Sequence, residues 1–180
     1  MSRRLSNQTH NRQKKASKRP VEIYFDAFEK EYGHPVNRWI QVFGLPMFFF
    51  AVLGLVWVIP FPEIGLLKRY GYDTFVNWGS FFIAIIVYIY LRLAPMLSYA
   101  VLLSIGVFSF FIVQLEYAER AGGLPVWLVC VLLLQISLVA LLVGRSIERR
   151  PVPLSRFLHL LMFGPIWLWH YVFKRLKLPY

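Results

Sequence analysis

Residues 124–144 read LPVWLVCVLLLQISLVALLVG, and this uncharged stretch decides the fold. A helix needs about 20 consecutive apolar residues to cross the hydrocarbon core of a bilayer. Three further apolar runs precede it, at residues 39–59, 75–91 and 93–115. A water-soluble domain of 180 residues could not bury so much apolar surface. We therefore predict an all-α protein, a polytopic transmembrane helical bundle with four spans.

The cationic residues indicate how these spans are oriented. Positively charged loop residues stay on the cytoplasmic side of a membrane. If four spans leave both termini inside, 17 of the 20 Lys and Arg residues lie in the cytoplasm and three lie outside. We therefore expect a multi-pass protein with both termini cytoplasmic, in a bacterial inner membrane or a membrane of the endoplasmic-reticulum type.

The two ends of the chain differ from the spans. Residues 1–20 are basic and contain no acidic residue, which predicts a disordered cytoplasmic tail ahead of a single membrane domain at 21–180. Residues 157–173 are a fifth apolar stretch, which contains Gly164 and Pro165. Since Pro165 removes a backbone donor and an unsatisfied carbonyl is costly in lipid, we predict a broken amphipathic or re-entrant segment at the cytoplasmic interface. The alternative is a fifth full span.

The chain offers few groups typical of catalysis. No phosphate-binding glycine loop, nucleophile elbow or Cys/His pair occurs, and we expect no nucleic-acid partner. His34, His159 and His170 fall on one side by this topology and are weak candidates for metal ligands. No two of them have the close spacing of a ligand pair, so we expect interfacial histidines and no metal. Arg145 and Glu148 are three residues apart and predict either an ion pair or a headgroup-binding site.

Two stretches carry a family resemblance. The first is YGHPVNRWIQ at residues 32–41, followed by Gly44-Leu45-Pro46. The second runs from Gly144 through Glu148 and Pro151 to GPIWL at residues 164–168. Together with the order of the spans, they resemble the small polytopic membrane proteins related to the 2-hydroxy fatty acid dioxygenase of fatty-acid alpha-oxidation. The resemblance covers residues 21–180.

This resemblance implies a membrane enzyme whose histidines hold Fe(II) and which shortens a 2-hydroxy acyl chain with O₂. The chain departs from the family where those histidines stand. His34 is displaced by about one residue, Gln41 replaces a second histidine, and Arg145 replaces a third. Four residues persist as scaffold: Asn37, Gly144, Glu148 and Pro165.

Three hypotheses follow. The first is a non-catalytic, diverged relative that binds acyl lipid in the membrane, with its headgroup or ligand held by Asn37, Gln41, Arg145 and Glu148 and with no cofactor. The second is an active Fe(II) dioxygenase of 2-hydroxy fatty acids with a rearranged site built from His34, His159 and His170. The third is a partner subunit of a larger membrane-protein complex.

Overall fold

The computed structural model describes residues 20–62, 76–148 and 152–177, and all of its regular structure is helical. Residues 1–19, almost all of the predicted tail, lie outside the described residues. Within these ranges six helices follow one another: α1 (Pro20–Glu31), α2 (Pro35–Trp57), α3 (Trp78–Leu93), α4 (Pro95–Arg120), α5 (Val126–Ile147) and α6 (Leu154–Leu176).

Helices α2, α4 and α5 are long and apolar enough to cross a membrane. With 23, 26 and 22 residues they are about 33–39 Å long, at 1.5 Å per residue. Helix α3 has 16 residues and is about 24 Å long, which is shorter than the ~30 Å of a hydrocarbon core. Each predicted run coincides with one helix, but the ends differ by two to five residues.

Prolines and a polar cap account for several of these ends. Pro35 and Pro95 occupy the first turns of α2 and α4, where a missing N–H costs nothing. Only Ala94 separates α3 from α4, so a one-residue connection joins these two helices. Helix α3 starts late because the side chain of Asn77 accepts a 2.9 Å hydrogen bond from the backbone N–H of Ser80.

The most extensive helix pair is α2 against α5, and small residues bring the two backbones together. A Cβ at Gly44 would lie 3.1 Å from Leu141, and one at Gly54 would overlap Cys130. Lipid supplies no hydrophobic force between helices, so close packing of this kind holds a membrane bundle together. The end of the bundle where α2 begins and α5 ends is called the Glu148 end below.

Helix α6 corrects one prediction, because it runs unbroken through Gly164 and Pro165. Beside Pro165, the hydroxyl of Tyr90 donates a 2.6 Å hydrogen bond to the carbonyl oxygen of Met162, which ties this part of α6 to α3. Gly164 lets α6 approach α2 closely, since a Cβ there would lie 2.9 Å from the side chain of Leu45.

Both ends of α6 contact the Glu148 end of the bundle. Near its start, the guanidinium of Arg145 lies 5.8 Å from the ring centre of Phe157. Near its end, the guanidinium of Arg38 lies 5.3 Å from the ring centre of Tyr171. Helix α6 therefore crosses this end of the bundle instead of running from one end to the other.

Helix α1 packs against α6 and fixes its position. Phe25, Phe28 and Tyr32 form one buried stripe, spaced as on a single helix face. Two ion pairs flank this stripe: Glu31 with Arg156 at 3.5 Å and Glu29 with Lys174 at 2.7 Å.

Candidate functional site

The carboxylate of Glu148 joins the end of α5 to the beginning of α2. Its oxygens accept a 2.5 Å hydrogen bond from Nδ2 of Asn37, a 3.2 Å bond from the backbone N–H of Gly33 and 3.3 Å bonds from that of His34. These backbone groups stand at the start of α2, where a helix has unsatisfied donors and a positive dipole end. Glu148 therefore acts as a helix cap supplied by a distant part of the chain.

Gly144 makes room for this contact. A Cβ at Gly144 would overlap Oδ1 of Asn37 and would lie 3.3 Å from the side chain of Ile40. Asn37 itself is only 1% exposed. Asn37, Gly144 and Glu148, three of the four residues that the resemblance marks as scaffold, thus form one joint, called the Glu148 clamp below.

Unpartnered polar groups lie beside the clamp. Gln41 is one turn beyond Asn37 on α2 and is 1% exposed, and neither of its amide atoms has a hydrogen-bond partner among the described residues. The hydroxyl of Tyr32 is likewise buried and unpartnered within the described ranges. Burial, and then the charge of Glu31, raises the pKa of Tyr32, while Arg145 acts in the opposite direction. Tyr32 is therefore a neutral phenol at physiological pH.

Arg145 has structural partners of its own. Its Nε donates a 2.8 Å hydrogen bond to the carbonyl oxygen of Val152, and its guanidinium lies over Phe157. Helix α5 ends at Ile147, so Arg145 and Glu148 do not continue along one helix face. The ion pair considered from their spacing is replaced by contacts of Arg145 with the start of α6 and of Glu148 with the start of α2.

The three histidines have different surroundings. His34 is the N-terminal cap residue of α2. His159 is exposed, with Nδ1 2.6 Å from the carbonyl oxygen of Ser155. His170 is 6% exposed and stacks on Phe25 with ring centres 4.3 Å apart. Within residues 20–62, 76–148 and 152–177, no three His, Cys, Asp or Glu side chains lie close enough to hold a metal ion.

The side chains in and beside the Glu148 clamp do not suit Fe(II). Iron in non-haem oxygenases prefers imidazole and carboxylate ligands. Gln41 offers a neutral amide, and Arg145 offers a permanent cation that cannot coordinate a metal. The carboxylate of Glu148 is already engaged by three donors. These side chains therefore do not form an Fe(II) site.

A second feature of the Glu148 end is a partly open apolar cavity of about 630 Å³ between α2 and α6. This volume lies within the range of small-molecule sites. Ser104 of α4 forms part of its wall, and the indole N–H of Trp169 donates a 3.0 Å hydrogen bond to the Ser104 hydroxyl. The cavity is called the α2–α6 groove below, and its apolar lining includes Trp39, Val42, Pro46, Leu168, Trp169 and Val172.

The sequence predictions missed this groove. Its walls come from segments more than 100 residues apart, and only the folded chain shows that they meet. A weak signal existed, because Arg38, Val42 and Pro46 recur every four residues along one face of α2. The four residues predicted to bind a headgroup do collect at the Glu148 end, but Asn37, Arg145 and Glu148 are engaged in holding helices together.

No family model, no curated protein and no solved structure matches this chain. The resemblance to the dioxygenase family therefore rests on the residues quoted from the sequence.

Proposed function

We propose that this protein is a diverged, non-catalytic relative of the 2-hydroxy fatty acid dioxygenases that binds acyl lipid in the membrane. In this proposal α2, α3, α4 and α5 span the bilayer, both termini are cytoplasmic, and α6 lies at the cytoplasmic interface. The Glu148 end then faces the cytoplasm, in keeping with the excess of Lys and Arg on that side.

The observation that carries the proposal is the α2–α6 groove. Trp39 at its rim is 62% exposed, and Leu176 is 63% exposed. Tryptophan side chains such as Trp39 are enriched at the depth of lipid headgroups. A cavity that is apolar and open toward the surrounding lipid suits an acyl chain, since each buried CH₂ group contributes about 0.8 kcal/mol.

The Glu148 clamp supports the part of the proposal that describes the protein as non-catalytic. The family's activity needs histidines at positions where this chain has Gln41 and Arg145. Because the clamp residues contact the backbone and one another, their arrangement is that of a structural joint. We therefore place the lipid in the groove and not at Asn37, Gln41, Arg145 and Glu148.

Mass spectrometry of lipids retained by the purified protein tests the proposal. Val172 lines the groove, so Val172→Trp should fill it and reduce retained acyl lipid several-fold. Val139 on α5 is 60% exposed, and Val139→Trp is the matched control that adds the same indole outside the groove. Equal lipid content in both variants and the wild type would contradict a groove site.

The Arg145→Ala variant separates the two candidate positions for the headgroup. If the groove holds the lipid, this variant should retain the same lipids as the wild type. Selective loss of lipid in Arg145→Ala, with normal retention in Val172→Trp, would place the headgroup at Arg145, beside the Glu148 clamp.

Orientation has a separate test. After Cys130 is replaced by Ala, single cysteines at Ser2 and at Leu178 should both react with a membrane-impermeant reagent only from the cytoplasmic side. Labelling of the two positions from opposite sides would refute the four-span topology.

A further inference from the structure

We infer that the mouth of the α2–α6 groove binds the dianionic phosphate monoester of a lipid whose acyl chain lies in the groove. The inference rests on the proposed function, in which the groove binds the acyl chain of a lipid. It adds the chemical identity of that lipid's headgroup. The mouth is a second cavity of about 330 Å³, lined by Glu29, Arg38, Tyr171, Lys174 and Arg175. Arg38, Tyr171 and Arg175 line both cavities, so the charged mouth and the apolar groove adjoin.

Tyr171 holds two guanidinium groups beside the mouth. Arg38 lies over its ring, 5.3 Å from the ring centre, and Nη1 of Arg175 donates a 3.4 Å hydrogen bond to its hydroxyl. The Nε of Arg38 is buried and has no hydrogen-bond partner among the described residues. Neither arginine forms an ion pair with a described side chain, so donor groups remain available to a ligand.

The charges at the mouth do not cancel. Arg38, Lys174 and Arg175 are cations, and Glu29, paired with Lys174 at 2.7 Å, is the one acidic side chain among the described residues of the lining. Three positive charges and one negative charge leave a net charge of +2. A phosphate monoester carries about −1.5 to −2 at pH 7, whereas a carboxylate carries −1 and a phosphocholine is neutral overall.

The shape of the donors points to the same headgroup. A guanidinium presents a planar fork that matches two oxygens of a phosphate, and basic pockets beside membrane helices bind anionic headgroups. The apolar groove begins at the same arginines and extends along α2 to Pro46, eight residues or about 12 Å beyond Arg38. Headgroup and chain sites therefore lie in the order in which they occur in a lipid.

Binding of four probes to the purified full chain in a non-ionic detergent tests the inference. The probes are oleoyl lysophosphatidate, oleoyl lysophosphatidylcholine, oleate and inorganic phosphate. We expect lysophosphatidate to bind about tenfold or more tighter than any of the other three, since a charged hydrogen bond contributes about 1.5–3 kcal/mol.

Variants assign the selectivity to the mouth. In Arg38→Gln/Arg175→Gln, lysophosphatidate should lose about tenfold or more in affinity, while lysophosphatidylcholine binding stays unchanged. The matched control is Arg92→Gln, because Arg92 also bonds a tyrosine four residues earlier, Tyr88, and lies outside the groove. This control should bind every probe as the wild type does.

The outcomes separate the two proposals. Equal binding of lysophosphatidate, lysophosphatidylcholine and oleate, all reduced by Val172→Trp, would overturn the headgroup assignment and leave the acyl-lipid function standing. Inorganic phosphate that binds as tightly as lysophosphatidate would overturn the lipid part of the assignment. If no acyl probe binds, both proposals fail.

Discussion

Removal of the Glu148 carboxylate should destabilise the whole bundle, although this residue lies at the end of a helix and is only half-buried. Glu148→Ala deletes the acceptor for Nδ2 of Asn37 and for the backbone N–H groups of Gly33 and His34. Loss of a helix cap costs about 1 kcal/mol. Asn37 is 1% exposed, and an unsatisfied buried amide costs about 1–3 kcal/mol more. We therefore expect the free energy of unfolding to fall by about 2–4 kcal/mol.

Glu148→Gln should have a smaller effect. It keeps one carbonyl oxygen for Asn37 but places an NH₂ group where the second carboxylate oxygen accepts from the backbone. It also removes a negative charge from the helix N-terminus, which is worth about 0.3–1 kcal/mol. We expect a loss of about 1–2 kcal/mol.

The chain offers a matched control at the opposite end of α5. The carboxylate of Glu119 accepts a single 3.0 Å hydrogen bond from the backbone N–H of Val126, and its side chain is exposed. Glu119→Ala should therefore cost about 1 kcal/mol or less. Reversible unfolding in mixed micelles of non-ionic detergent and dodecyl sulfate, followed by tryptophan fluorescence, measures all three variants. The reasoning is refuted if Glu148→Ala is within about 0.5 kcal/mol of the wild type, the usual range for a surface substitution.

Three further predictions use the same unfolding assay. Gly144→Ala should cost about 1–3 kcal/mol because the new methyl group would overlap the side chain of Asn37. The control is Gly106→Ala, where the added Cβ meets no atom within 4 Å, and this variant should be neutral or stabilising. Equal effects of the two substitutions would contradict the close helix contact at Gly144. Trp169→Phe should cost about 0.5–1.5 kcal/mol by removing the 3.0 Å hydrogen bond to Ser104, and an unchanged stability would show that this bond contributes nothing. Burial lowers the pKa of His170 below its usual 6.5; Lys174 lowers it too, while Glu29, Asp26 and Glu22 raise it. The unfolded chain then binds more protons, so stability should fall as the pH drops below about 6.5, and His170→Gln should flatten this dependence between pH 7 and pH 5.

The helices that the sequence predicted correctly are those defined by composition alone. Residues 124–144 contain so few polar groups that a long apolar helix was the one reasonable outcome, and α5 covers all but the first two of them. Helix ends were less accurate because they depend on single residues such as Pro35 and Asn77. Helix α6 was predicted as broken because a proline normally interrupts a helix, but α6 continues through Pro165 where it packs against α2 and is hydrogen-bonded to Tyr90 of α3.

The candidate site was predictable only in part for a similar reason. The quoted motifs brought attention to Asn37 and Glu148, and the structure places these two side chains in contact. Their role as a helix cap depends on an encounter between residues 111 positions apart, which no local pattern encodes. The groove was missed because its two walls, on α2 and α6, are far apart in the sequence and the spacing of Arg38, Val42 and Pro46 on α2 is only a weak signal.

The position of α6 bears on how the protein is assembled during synthesis. One wall of the groove belongs to α2, which leaves the ribosome early, and the other belongs to α6, which follows the other five described helices. Arg38 and Val42 are therefore made about 130 residues before the α6 wall that they face, since Tyr171 stands 133 positions after Arg38. A ribosome stalled before residue 154 would carry a bundle that lacks the α6 wall of the groove, so the groove forms only after α6 has been made.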